Sequence, residues 1–562
     1  MPIQSRWAIS VPEVSLPEWV FGSSFNILPD FKVFLDADQP DTNYLTFSDF
    51  RLISKRVALG LQNAGLRPGD RVLFYAGNSI YFPIIFMGII MAGGIFTGAS
   101  PLFGPAELGY QLRDSGACFL VAQDSRIKVA LEAAAKVGLS ARRVYCFDGS
   151  FPPTTENTSR PRDVKHWSQL LAGPVEANRF HWVEPANPRE ATCCLNYSSG
   201  TTGPPKGVEI THYSYVANGE AYTSMEMKKH SSRSQVGANT SICFIPMFHA
   251  AAQTTFAVNN PKMRITTAVM ASYKLDKLLS HVEKFKVTTL VVVPSVVLEL
   301  SRSSLTTKYD LTGVEDIICG TAPLAPDLAR EVERKLWPNG SNFITQGWGM
   351  TELTCSGALW SSDDKEKSSA VGELVPNASI RIKDGDEEIF EPNKPGELWF
   401  SGPTVMKGYW QNPNATKATI VEEKGIRWLK TGDIGYVDKY GPGAKIHIVD
   451  RAKELIKVRG FQVSPSELEG VLLSRADIVD AAVVGILVNS EEVPRAYVVR
   501  NSSVTEQEIM EWMESRVAKY KRLRGGVAFV HTIPRTQSGK IIRRHLREIA
   551  SQQQAPLKAK IV

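Results

Sequence analysis

Cysteine is scarce and unpatterned in this chain: seven residues in 562, odd in number and with no Cys-x-x-Cys pair. That excludes a disulfide framework, offers no zinc-site spacing and fits a reducing compartment. There is no Walker A loop, no internal repeat and no low-complexity tract. Residues 1–20 mix Arg6, Glu13 and Glu18 with prolines and lack an apolar core, so no signal peptide is read there. The final Ala559-Lys560-Ile561-Val562 is not a Ser-Lys-Leu ending, and the expected location is cytoplasmic.

Charge is missing from one long stretch, residues 72–106, which by length alone could span a bilayer. Pro83, Gly88, Gly93, Gly94 and Gly98 interrupt it. The interruptions predict a short helix of about ten residues followed by a strand, a buried αβ unit rather than a membrane span.

The chain is 43% hydrophobic and 22% charged, which excludes disorder and coiled coil. At about 150 residues per domain it holds three or four folding units. The net charge of +6 is unevenly placed: residues 451–562 carry +7 and residues 1–450 carry −1. A basic tail of this kind suits a nucleic-acid binder, a cap over a polyanionic small molecule, or simply a solvated face.

Helix and strand patterns alternate through the first 450 residues. Helical spacing covers Phe50–Ala64 and Leu275–Phe285. Strands are read at Arg71–Tyr75, Ala117–Ala122, Thr288–Val293 and Gly313–Cys319. β-branched runs between helices indicate parallel strands covered on both faces. The Pro-, Thr- and Ser-rich segment 148–188 reads as a long surface connection. Residues 380–437 read as short strands with turns, a small β subdomain. Beyond Arg451, a helix at Pro465–Leu473, strands at Ala481–Ile486 and Ala496–Val499, and a helix at Thr505–Val517 make an α+β unit. The expected fold class is α/β: an N-terminal domain, 1–450, of two parallel-type αβ sheet subdomains plus a small β subdomain, then a small mobile α+β domain, 451–562.

The most informative segment is Tyr197-Ser-Ser-Gly-Thr-Thr-Gly-Pro-Pro-Lys-Gly207. Seven of its eleven residues are Gly, Ser or Thr, which bring backbone N–H groups and hydroxyls close to a ligand, and Lys206 adds a point charge. Such a loop suits the β- and γ-phosphates of a nucleotide, although the spacing is not that of a Walker A motif.

This segment resembles the signature of the acyl-adenylate-forming superfamily, which includes acyl- and aryl-CoA ligases, beetle luciferases and the adenylation domains of peptide synthetases. Further matches follow in the family's order: Pro246-Met-Phe-His249, Cys319-Gly-Thr-Ala-Pro-Leu324, Gln346-Gly-Trp-Gly-Met-Thr-Glu352, Leu429-Lys-Thr-Gly-Asp433, Asp450-Arg-Ala-Lys-Glu-Leu-Ile-Lys457, Arg459-Gly-Phe-Gln-Val-Ser-Pro-Ser-Glu-Leu-Glu469 and Pro534-Arg-Thr-Gln-Ser-Gly-Lys540. Their wording is most similar to 4-coumarate–CoA ligase-like enzymes.

The resemblance implies a two-step reaction. A carboxylate attacks the α-phosphate of ATP·Mg²⁺ to give an acyl adenylate and pyrophosphate, and the thiol of coenzyme A then displaces AMP. The protein's task in the first step is positioning and charge stabilisation, which explains why no nucleophilic Cys or Ser is required. Carried over by motif, Ser198, Ser199, Gly200, Thr201, Thr202, Gly203 and Lys206 would hold the pyrophosphate. Thr351 and Glu352 would meet the α-phosphate and Mg²⁺, with Thr202 also near the metal. Gln346, Gly347 and Trp348 would form the adenine site, with Trp348 supplying a flat face. Asp433 would accept from the ribose hydroxyls with Arg451 assisting, and Lys540 would bridge the carboxylate and α-phosphate oxygens. Lys453 matches the hinge of the C-terminal domain. Lys457, Arg459, Gly460 and Gln462 match positions that meet AMP or coenzyme A after the domain turns.

The acyl pocket implied by the same matches comprises His249, Ala250, Ala251, Thr255, Thr321, Gly347, Cys355 and Ser356. Ala251 stands where coumarate ligases commonly carry an aromatic, Thr321 replaces a usual alanine, and Cys355-Ser356 replace a usual Pro-Val. A wider or longer pocket is expected, for an aryl, phenylalkanoic, medium-chain or polyketide-type acid. His249 in place of an aspartate argues against an amino-acid substrate. The alternatives are a free-standing adenylating enzyme that loads an acyl-carrier protein, a luciferase-like monooxygenase, and a nucleotide- or DNA-binding protein. A mobile basic lid that meets two polyanions, ATP and coenzyme A, accounts for the +7 tail better than nucleic acid does.

Overall fold

In the computed structural model, which describes residues 1–151, 161, 164–198, 204–230, 239–361, 364, 368–459, 461–488, 491–536 and 539–558, the charge-free stretch becomes the helix Phe82–Met91 and the strand Ile95–Ala99, both wholly buried. Pro83 sits in the first turn, where a missing N–H costs nothing, and Gly93 closes the unit at φ +82°. Gly88 lets the helix Phe47–Asn63 approach: a Cβ there would lie 2.7 Å from Val57 Cβ. Among the described residues no helix is long and apolar enough to cross a membrane.

Three large sheets build the body. In the first, the parallel strands Ile95–Ala99, Arg71–Tyr75, Phe119–Gln123, Val144–Phe147 and Lys165–His166 lie side by side. This sheet continues through Thr192–Ser198 into an antiparallel pairing with Lys206–Thr211 and then Gly408–Tyr409. The second sheet runs parallel through Ile344–Gln346, Asp316–Cys319, Thr289–Val292, Thr240–Cys243, Thr266–Val269 and Lys32–Asp36, with Tyr44–Thr46 as an antiparallel edge. The third is antiparallel, and its spine is the twelve-residue strand Ile426–Val437, flanked by Gly396–Ser401, Ile420–Glu423 and Ile446–Arg451.

Past Arg451 the chain forms the hairpin Ile456–Val458/Phe461–Val463, the helix Pro465–Leu473 and a sheet of Ile478–Val488, Glu491–Arg500 and Val527–Phe529. Buried apolar residues group into two clusters before residue 450 and two after it, and none of the four crosses that point. Among the described residues, Leu473 is the one beyond 450 whose half-buried apolar side chain packs on the larger N-terminal cluster.

The segment 148–188, expected at the surface, is partly anchored inside. Trp167 is fully buried against Tyr81 and Phe147, with ring centroids 5.6 and 5.5 Å away, and its Nε1 donates to Asp148 Oδ1 at 3.1 Å. A composition dense in turn-formers hides an indole that has both an apolar socket and a hydrogen-bond acceptor. Residues 152–160 lie outside the described residues.

Candidate active site

A cleft of about 630 Å³ opens between the body and the C-terminal unit, lined by Thr321, Gln346, Trp348, Asp433, Arg451 and Lys540 among others. Asp433 and Arg451 are cross-strand partners on Ile426–Val437 and Ile446–Arg451, so the ladder sets their pairing. Arg451 Nε lies 3.3 Å from Asp433 Oδ1. Trp348 Nε1 donates to Asp433 Oδ2 at 2.8 Å. Burial of Asp433 raises its pKa, against the lowering pull of Arg451, the indole N–H and Lys540. A carboxylate offers about four lone-pair sites, so two remain for an incoming diol. The residue expected to stack on adenine is therefore also tied to the residue expected to hold the ribose.

Lys540 enters from the other side. Burial lowers its pKa to about 8, Arg451 adds to the lowering, and Asp433 and Glu352 pull the other way. It sits on a tight turn: Thr536 N donates to Lys540 O at 2.8 Å, Lys540 N to Thr536 Oγ1 at 3.1 Å, and Gly539 takes φ +81°. Arg535 clamps that turn, donating to Gly539 O at 2.9 Å and to Asp480 Oδ1 at 2.8 Å.

Glu352 follows Thr351 on the short 3₁₀ turn Thr351–Leu353 and is buried. Its Oε1 accepts from Tyr409 Oη at 2.9 Å, and Met406 N donates to its carbonyl at 2.9 Å. Lys206 Nζ lies 4.8 Å from the centroid of the Tyr409 ring. Lys206 and Ser198 face one another across the antiparallel ladder that brackets the Gly/Ser/Thr segment. Its flanks are fixed by Tyr197 Oη to Asp114 Oδ2 at 2.6 Å and Tyr110 Oη to Pro205 O at 2.8 Å. Ser199, Gly200, Thr201, Thr202 and Gly203 themselves lie outside the described residues.

Around the expected acyl pocket the backbone is unusual. Thr321 takes φ +75° and Thr354 φ +65°, left-handed values that β-branched residues rarely adopt and that cost on the order of 1–3 kcal/mol each. Gly349 is obligatory, since a Cβ there would lie 1.8 Å from Cys355 O. Residues Gln253–Asn259, including Thr255, form a π-helix after the short Ala250–Ala252 turn. His249 caps that turn with its ring against Phe248, and burial, helped by Lys540, lowers its pKa to about 4. At that value the imidazole is neutral at physiological pH. Gln346 Oε1 accepts from Leu324 N at 2.8 Å, and Gly347 N donates to Cys319 O, which locks the Thr321 loop to the strand Ile344–Gln346. Asn218 Nδ2 donates to Ser356 O at 3.2 Å.

The remaining expected residues lie apart. Lys457, Arg459 and Gln462 sit on an exposed hairpin and do not line the cleft; Arg459 is paired with Glu491 at 2.9 Å. Lys453 is in the turn after Arg451, and Gly460 lies outside the described residues. Sequence reading missed Tyr409, Arg535 and Asn218. Tyr409 had a Gly-Tyr-Trp triplet within the region read as short strands, Arg535 stands inside the Pro534–Lys540 motif without being singled out, and Asn218 carried no signal. A second, wider crevice of about 1290 Å³ runs between the helix Pro326–Leu336 and the C-terminal unit. It is a polar gap without the converging groups of the first.

Residues 27–410 match the family model described as AMP-binding enzyme, and residues 467–540 match AMP-binding enzyme C-terminal domain. The chain is 34% identical to the acyl-CoA ligase azaF of Aspergillus niger, covering 97% of this chain and 100% of the relative. It is 34% identical to the phenylacetyl-CoA ligase epaB of the same species, over 98% and 99%. To 4-coumarate–CoA ligase 1 of Petroselinum crispum it is 35% identical, over 89% and 88%. Among solved structures, an anthranilate–CoA ligase in complex with anthranoyl-AMP shares the fold at TM-score 0.83 and 20% identity, covering 97% of this chain and 99% of that one. ATP-bound MatB from Rhodopseudomonas palustris does so at TM-score 0.79 and 24% identity, over 95% and 98%.

Proposed function

From the premise that the chain belongs to the AMP-binding enzyme family, we propose that it is an ATP-dependent carboxylate–CoA ligase, AMP-forming, acting on an aryl, phenylalkanoic, medium-chain or polyketide-type acid. The observation that carries this reading is the convergence of Asp433, Trp348 and Arg451 from the body and Lys540 from the C-terminal unit on one cleft.

Asp433 and Arg451 orient the ribose, and Trp348 meets the adenine. Lys206 and the loop beside it hold the departing pyrophosphate. Lys540 reaches the α-phosphate and the attacking carboxylate, where an ammonium opposes the negative charge that builds in the transition state. Mg²⁺ would arrive with ATP. Glu352, a buried carboxylate bonded to Tyr409, fits a metal bound mainly through phosphates, and among the described residues no group of three or more metal-binding side chains offers a dedicated cage. When bound, the ion would neutralise phosphate charge.

The division near residue 450 is part of the same reading: the chain beyond the strand Ile446–Arg451 acts as a lid, and Arg451 itself stays on the body sheet. With Lys540 in the cleft and Lys457, Arg459 and Gln462 outside it, the arrangement suits adenylate formation; turning about Lys453 would bring the second set in for coenzyme A. The test is a panel of the four acid classes with ATP, Mg²⁺ and coenzyme A. Acid-dependent pyrophosphate exchange together with CoA-dependent AMP release is expected. Exchange with no acid at all defeats the reading, and exchange without CoA consumption moves the acceptor to a carrier protein.

A further inference from the structure

Tyr409 touches both halves of the phosphate machinery yet belongs to neither. It is a two-residue strand, Gly408–Tyr409, added antiparallel to Lys206–Thr211, with Val208 opposite Tyr409. The edge is pinned by Lys407 N to Glu209 O at 2.9 Å and Trp410 N to Gly207 O at 2.8 Å. Tyr409 N donates to Thr416 Oγ1 at 2.9 Å, so the backbone is held on three sides. From this frame the side chain is buried, 8% exposed, with its hydroxyl on Glu352 Oε1 and its face toward Lys206 Nζ.

Two properties make the residue more than packing. The phenol O–H donates to Glu352 Oε1 at 2.9 Å and so fixes one carboxylate oxygen. The ring, meanwhile, offers Lys206 an attractive surface that carries no charge of its own, so the ammonium stays available to an anion. A carboxylate in the ring's place would neutralise the lysine.

We infer that Tyr409 is a positioning residue that sets the separation of Lys206 and Glu352, and so the register between the departing pyrophosphate and the metal-carrying α-phosphate. The inference rests on the roles proposed above for those two residues. Outer partners that orient a metal-binding carboxylate typically contribute a factor of about 10–100 in metal affinity or activity.

The test is calorimetric titration of the full-length Tyr409→Phe protein with Mg·ATP and, separately, with AMP. AMP lacks the β- and γ-phosphates and needs neither Lys206 nor the metal. Mg·ATP binding should weaken about 10–100-fold while AMP binding stays within twofold, and Glu352→Gln should remove most of the difference between Tyr and Phe at 409. Equal weakening of both nucleotides marks a structural role and overturns the inference, as does unchanged Mg·ATP binding. If Tyr409→Phe does not fold, the same pair of titrations on Tyr409→Leu decides: loss confined to Mg·ATP upholds the inference, and equal loss for both nucleotides or none for either overturns it. Because no acid is needed, failure of the acid panel leaves this result readable: the panel tests the ligase reading and the titrations test Tyr409.

Discussion

The two walls of the cleft are built differently. On the body side the site residues hold one another: Trp348 and Arg451 grip Asp433, and Tyr409 joins Glu352 to Lys206. On the lid side Lys540 meets Asp433, Arg451 and Glu352 through their charges, and among the described residues no hydrogen bond ties its ammonium to them. Its turn is braced from behind by Arg535, which spends its guanidinium on Asp480 and Gly539 of the lid itself. Between the two, Arg302 donates to the carbonyls of Leu473 and Val479, Ser464 and Ser466 donate to Asp450 beside the joint, and among the described residues Leu473 is the one half-buried apolar side chain beyond 450 packed on the body core. The bonds that shape each wall come mainly from its own residues, which suits the lid movement proposed above.

Removing the lid's contribution should separate the walls most sharply. Lys540→Ala is expected to lower acid-dependent pyrophosphate exchange by a factor of about 10²–10³, the usual cost of one charge-stabilising donor, while CoA thioester formation from supplied acyl adenylate persists. Loss of both would mean that Lys540 supports the body wall too.

The pH profile tests the same contrast. Because burial depresses Lys540 to about 8, the required ammonium is present below that pH and lost above it. The kcat/KM for exchange should fall on the alkaline side with a limb near pH 8, and Lys540→Arg should move that limb upward, since a guanidinium does not titrate there. A limb that survives unmoved belongs to another group.

Arg535→Ala should cost about tenfold in exchange, in line with loss of hydrogen bonds from a charged group, each worth about 1.5–3 kcal/mol, and nothing in the thioester step. Combined with Lys540→Ala it should add no further loss. The smallest effect belongs to Arg302→Ala: a two- to threefold fall in exchange, about 0.5 kcal/mol, with thioester formation unchanged or faster. A large loss in both steps would show that the walls are more firmly joined than their contacts suggest.

What the sequence made legible was local. The helix Leu275–Phe285, the helix Pro465–Leu473 and the strand Arg71–Tyr75 appear with the bounds that periodicity and punctuation predict, because 3.6- and 2-residue periods are written within a dozen positions. The motif residues Trp348, Asp433, Arg451 and Lys540 were legible as a set through resemblance, and they do meet. Their mutual bonds were not. Trp348 and Asp433 are 85 positions apart and Tyr409 and Glu352 are 57 apart, so each partnership depends on how sheets dock. Trp167 misled for the same reason: its neighbours in sequence are turn-formers, and its neighbours in space are Tyr81 and Phe147.

The Arg302 contacts carry a consequence for how such proteins diversify. Both acceptors are main-chain carbonyls, which every residue type supplies at positions 473 and 479. Drift in the side chains of the lid cannot erase this latch as long as the helix end and the strand start stay in place. A lid transplanted from a relative would present the same two oxygens to Arg302, so this pair of bonds, unlike the Leu473 packing, is blind to side-chain identity on the lid side.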